Sequence, residues 1–160
     1  MPDLLICHYE DEPAKVDFPG MIEVALFEHP MITDCTIEEP DNDGLTYIIK
    51  FTLNGAQYTL NYLIGDHPED ITDRSGKSVH DAILHMVDMY ILSDGQAGVK
   101  IVKNLLSQGI AIEKIWVVTA YEALARTNIF PEGIKIYPKP SPFEQMTRLI
   151  IVMLTAGDSS

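Results

Sequence analysis

Four short apolar runs, each stopping at a residue able to do chemistry, constrain this chain more than any other feature. They lie at residues 3–9, 82–87, 115–118 and 134–137. Just past them stand Glu10 and Asp11, then Asp88, then Thr119, and finally Lys139. Short continuous apolar runs fit strands buried on both faces, as in a parallel sheet. Between the later runs, Val99, Ile101, Val102, Leu105 and Leu106 recur at helical spacing within 98–107. A brief helix is predicted at 121–126, and an amphipathic one at 143–154 behind Pro142. Strands alternating with helices predict an α/β fold with a doubly wound sheet. The run at 82–88 is the exception locally, since 78–90 also reads as a helix.

The first half of the chain is less regular. A helix is expected over about 21–28, after the break at Pro19 and Gly20. Residues 46–53 and 57–63 are rich in β-branched and aromatic side chains, with Asn54-Gly55 between them. That pair tolerates φ > 0 at both positions and predicts a β-hairpin. The polar stretch 65–78, holding Pro68 and Gly76, is expected to be loop with at most one helical turn. Arg74 to Ser78 ends like a phosphate-binding loop, but Ile71 stands where its first glycine belongs, so a solvated turn is expected.

Composition excludes several functions. The 160 residues suit one domain, here 1–156 with a frayed tail at 157–160. With 24 acidic and 11 basic side chains the net charge is −13, which opposes binding to nucleic acid or anionic lipid. No apolar run reaches the roughly 20 residues of a membrane span, and no signal peptide pattern opens the chain. A cytoplasmic location is expected, with Cys7 and Cys35 as buried reduced thiols. His8 and His85 are expected to be strand residues and Trp116 a core residue.

Ligands of open parallel sheets bind beyond the carboxyl ends of the strands. Glu10, Asp11, Asp88, Thr119 and Lys139 would therefore share one edge. Three carboxylates, a hydroxyl and an ammonium suit a hard cation beside a phosphoryl group.

These residues resemble those of the receiver domains of two-component response regulators. Tyr9, Glu10, Asp11, Glu12 and Pro13 are similar to the acidic cluster ending that family's first strand. Val87-Asp88 resembles its phosphoacceptor, and residues 92–98 its following loop and glycine. Val117 to Ala120 resembles its conserved hydroxyl, and Pro138-Lys139-Pro140 the lysine–proline end of its fifth strand. The resemblance covers 1–18 and 80–154 and implies a flavodoxin-like parallel sheet. The surplus length between Asp11 and Asp88 reads as an insertion over about 40–78 that carries the hairpin and enlarges or replaces the second βα unit. Ile136 stands where a switch aromatic is usual.

What the resemblance implies is a phosphorelay module rather than an enzyme. Asp88 would accept a phosphoryl group from a phosphohistidine on a histidine kinase or histidine phosphotransfer protein. Mg²⁺ would be held by Glu10, Asp11, Asp88 and the backbone carbonyl of Tyr90. Thr119 and Lys139 would bind phosphoryl oxygens and report the modification to a downstream output protein. Bulky Tyr90 and Tyr121 would shield the acyl phosphate from water. The chain reads as a stand-alone receiver, since little follows residue 154. The competing reading is a pseudo-receiver, an interaction module of the same fold that is never phosphorylated. A phosphoaspartate hydrolase would need a second aspartate where Tyr90 stands.

Overall fold

Leu4 through Tyr9 is buried without interruption, so strand β1 (Asp3–Tyr9) hides both its faces. That is the burial of a central strand, and β1 pairs in parallel with a neighbour on each side. The computed structural model describes residues 3–10, 24–40, 44–89, 96–119, 130–138 and 143–156. The remaining strands are β2 (Ile32–Glu38), β3 (Thr46–Leu53), β4 (Ala56–Gly65), β5 (Leu84–Asp88), β6 (Ile115–Thr119) and β7 (Lys135–Pro138). They form one seven-stranded sheet in the order β2-β3-β4-β1-β5-β6-β7. The five strands from β4 to β7 in that order run parallel, and β2 and β3 extend the sheet antiparallel beyond β4. The protein is thus α/β with a mostly parallel sheet.

Several expectations hold at the level of single elements. Strand β5 covers Leu84–Asp88 with all five residues buried, so the strand reading holds for the latter part of 82–88. Asn54 and Gly55 both take positive φ, 51° and 81°, so the β3–β4 turn has the twist that hairpins prefer. The helical segment at 24–27 lies inside the expected helix. The proposed helix at 121–126 lies outside the described residues.

One expectation needs correction. Residues 65–78 are not mainly loop: helix α1 (Pro68–Ser75) occupies them. Pro68 fills its first turn, the His67 side chain accepts from Glu69 N–H, and Gly76 closes it at φ 70° with its N–H donating to the Thr72 carbonyl. Gly76 is therefore a helix cap and belongs to no phosphate loop. The second strand of the hairpin, β4, is the parallel partner of β1 from Thr59 to Gly65. A third antiparallel strand, β2, completes this arm.

Helices α2 (Ala97–Ser107) and α3 (Phe143–Ala156) complete the described helices. Two apolar cores lie on opposite sheet faces, as alternation along β1 requires. Leu4 and Ile6 join Leu26 and the α3 residues Met146, Ile150 and Ile151 on one face. Leu5, Cys7 and Tyr9 join Ile71 of α1 and Val99, Ile101, Val102 and Leu105 of α2 on the other. Each such fully buried aliphatic side chain contributes about 1.5–3 kcal/mol. Trp116 is core and stacks at a tilt on Tyr137 of β7, ring centres 4.9 Å apart. Cys7 and Cys35 are buried free thiols, and burial pushes the Cys7 thiol up to about 12, where it is inert. Among the described residues no helix is long and apolar enough to cross a membrane.

Candidate functional site

Because β1, β5, β6 and β7 are parallel, their carboxyl ends meet one edge, about 4.8 Å apart from strand to strand. Tyr9 pairs with Val87, so Glu10 and Asp88 are the next residues along on neighbouring strands. The Glu10 N–H donates to the Gly65 carbonyl at 2.9 Å, which carries the β1–β4 ladder one step past the strand end. Asp88 pairs with Val118, and Thr119 follows it on β6 opposite Pro138. Glu10 and Asp88 are each only 5% exposed and Thr119 is fully buried. Asp11, Tyr90, Tyr121 and Lys139 lie outside the described residues.

The strand order gives this edge its significance. After β1 the chain goes to the β2–β4 side, and after β4 it returns to β5 on the other side of β1. The connections therefore part between β1 and β5, which is where a crevice opens in sheets of this kind. Glu10 and Asp88 stand at the ends of the two strands on either side of that point. Carboxylate oxygens are hard donors of the kind that fit a divalent cation such as Mg²⁺. Among the described residues no group of three or more His, Cys, Asp or Glu side chains gathers as a metal site; of the four expected ligands, only Glu10 and Asp88 lie within those residues.

Gly98 sets the backbone beside Asp88. Its N–H donates to the Met89 carbonyl at 3.1 Å, tying the first turn of α2 to the end of β5. A Cβ at Gly98 would stand 2.4 Å from the Asp88 carbonyl oxygen and 2.7 Å from the Met89 Cα. Both are backbone atoms, so nothing flexible can yield. Gly98→Ala would ordinarily gain about 1 kcal/mol of helix propensity. Overpacking costs about 1–3 kcal/mol or more and wins here. The expected outcome is a net loss of about 2 kcal/mol in urea unfolding, and an unchanged or raised midpoint would contradict it.

One part of the site gave no sequence signal. The Tyr62 hydroxyl and His8 Nδ1 share a 2.5 Å hydrogen bond, with both side chains buried. Burial first, then the charge of Glu10, then Tyr47 raise the Tyr62 hydroxyl well above its ordinary range. A tyrosine in a strand buried on both faces must find a polar partner, and that requirement was the only available hint. On β7, Ile136 borders the core on the α2 face, while the aromatic Tyr137 packs on the opposite face. No protein-family model matches the chain, and no curated protein matches it in sequence.

Proposed function

We propose that this protein is a response-regulator receiver with a flavodoxin-like core, accepting a phosphoryl group on Asp88. The observation that carries the reading is the burial of Glu10, Asp88 and Thr119 at the carboxyl ends of adjacent parallel strands, two of them flanking the switch point. Numbered along the chain, the five parallel strands run second, first, third, fourth, fifth across the sheet, which supports a flavodoxin-like core because folds of that kind use this order. Here the antiparallel arm supplies the second strand itself and adds two more at the edge.

The chemistry follows from the donor set. A carboxylate oxygen of Asp88 attacks the phosphorus of a phosphohistidine, the P–N bond breaks, and the imidazole leaves with a proton. Glu10, Asp11, Asp88 and the Tyr90 carbonyl would hold Mg²⁺, which offsets the charge of a phosphoryl group brought among carboxylates. The Thr119 hydroxyl donates to a phosphoryl oxygen and Lys139 neutralises another. A histidine kinase or histidine phosphotransfer protein supplies the group, and a downstream output protein reads it, in the cytoplasm and without nucleic acid or membrane as partner.

Exposure to Mg²⁺ and acetyl phosphate should add one phosphoryl group, stable in acid and labile in base, and should add none without the metal. An unchanged mass after exposure to cognate donors would favour the pseudo-receiver. Calorimetric titration offers a separate check. Glu10→Gln should weaken Mg²⁺ binding by about tenfold or more without unfolding the domain. Equal affinity in the variant would remove Glu10 from the site.

A further inference from the structure

Helix α1 supplies none of the residues that the receiver chemistry uses, yet two of its side chains bear on the strand end that holds Glu10. Arg74, in its last turn, donates from Nη2 to the Ile64 carbonyl at 2.5 Å and to the Leu45 carbonyl at 3.2 Å. Leu45 stands just before β3 and also accepts from the Ile64 N–H at 2.8 Å. Thr46 lies opposite Leu63, so the chain enters β3 at the edge where it leaves β4, and Arg74 ties the two together there. That edge is also the carboxyl edge of β1, because Gly65 pairs with Tyr9. Ile71 completes the grip from one turn earlier. A Cβ on Gly65 would stand 2.9 Å from Ile71 Cγ1, so α1 presses directly on that glycine.

The bonds of Arg74 are those of a tether. The chain has 24 acidic and 11 basic side chains, yet among the described residues Arg74 pairs with no carboxylate. Its Nε is buried, which turns the guanidinium into the fold. Hydrogen bonds from a charged donor are roughly twice as strong as neutral ones.

We infer that Arg74 is a positioning residue for Glu10, acting through the end of β4. The path is continuous: Arg74 fixes the Ile64 carbonyl, Gly65 follows, and the Gly65 carbonyl accepts from the Glu10 N–H at 2.9 Å. Glu10 lies one residue past β1, where an untied strand end frays. Holding its backbone fixes the point from which the buried carboxylate projects, and a ligand placed in advance binds metal without the cost of ordering. The inference rests on the receiver reading of Glu10 as a Mg²⁺ ligand.

The test is calorimetric titration of Mg²⁺ into the full chain, comparing wild type with Arg74→Met, Arg74→Lys, Leu53→Ala and Glu10→Gln. Arg74→Met keeps the aliphatic stem without the guanidinium, and Arg74→Lys keeps the charge without the planar fork. Leu53→Ala loosens the same arm at its other end, where buried Leu53 lies opposite Ala56. Charge alone predicts the reverse of positioning, since taking a positive charge from this edge would tighten Mg²⁺. Positioning predicts that Arg74→Met weakens Mg²⁺ by about fivefold, below the tenfold or more of groups bonded directly to a ligand. Arg74→Lys should weaken it in the same direction by a smaller factor. Leu53→Ala should leave it within about twofold of wild type, although urea unfolding shows it the less stable variant. Unchanged or tighter binding in Arg74→Met, or an equal loss in Leu53→Ala, overturns the positioning role while Glu10 stays a ligand. Should Arg74→Met fail to fold, wild-type affinity in Arg74→Lys overturns it. Equal affinity in Glu10→Gln and wild type instead removes the ligand reading, and the inference with it.

Discussion

Acidification from pH 7 to pH 4 is expected to take about 3 kcal/mol from the stability of this fold through one side chain, His85. Its Nε2–H donates to the Val79 carbonyl at 3.0 Å and its Nδ1 accepts from the Tyr9 hydroxyl at 2.9 Å. Both ring nitrogens are committed in the neutral form, inside a fully buried site on β5. Burial is the main cause of a pKa lowered to about 4; the Val79 bond opposes it, and the charges of Lys114 and His80 add to it. The unfolded chain takes up the proton near pH 6.5 and the native chain near pH 4. Between those values the unfolded state holds more protons, so stability falls as pH falls and is unaffected by this group above about pH 7. A loss of about 3 kcal/mol is a large share of the 5–15 kcal/mol typical of a domain. His85→Leu supplies the check, because carboxylates titrate alike in both proteins. The stability gap between wild type and variant should narrow by about 3 kcal/mol on going from pH 7 to 4. Parallel curves would contradict the assignment.

What the sequence made legible followed from local pattern. The strands β1 and β6 were readable as unbroken apolar runs, β5 only against a competing helical reading of 78–90, and Asn54-Gly55 announced the β3–β4 turn. Helix α2 was readable from its apolar spacing. Strand β2 was missed for a physical reason. Asp34 sits at φ 54° in a bulge between Thr33 and Thr36, so buried Ile32 and Cys35 fall three residues apart instead of two or four. Helix α1 is polar apart from Ile71, and its signal lay in its ends, Pro68 and Gly76, more than in its face.

The site divides in the same way. That Glu10, Asp88 and Thr119 end strands is visible in the chain, since polarity changes abruptly there. That Glu10 and Asp88 stand on neighbouring strands at the switch point depends on sheet order, which no local pattern encodes. Tyr62 and His8 meet across 54 positions, and a long-range pair of this kind leaves no periodic trace. Gly98 was readable as a glycine in a loop-to-helix junction, but its contact with the Asp88 backbone was not.

The other large effect expected is all or none. Under the proposed function Asp88 is the nucleophile, so Asp88→Asn should abolish phosphoryl uptake outright, since an amide cannot form the acyl phosphate. Asparagine has nearly the volume of aspartate, so the substitution preserves the packing of this buried position. Loss of uptake can therefore be read as loss of the acceptor rather than loss of the fold. An acyl phosphate, unlike a phosphoserine or phosphothreonine, is reduced by borohydride to the alcohol, which marks the acceptor as homoserine. The most direct measurement is to treat the Mg²⁺- and acetyl phosphate-exposed protein with borohydride and map its peptides by mass. Homoserine at position 88, absent without Mg²⁺, is the predicted result. No homoserine after exposure to a cognate phosphohistidine donor as well, or homoserine at another carboxylate, would contradict the account.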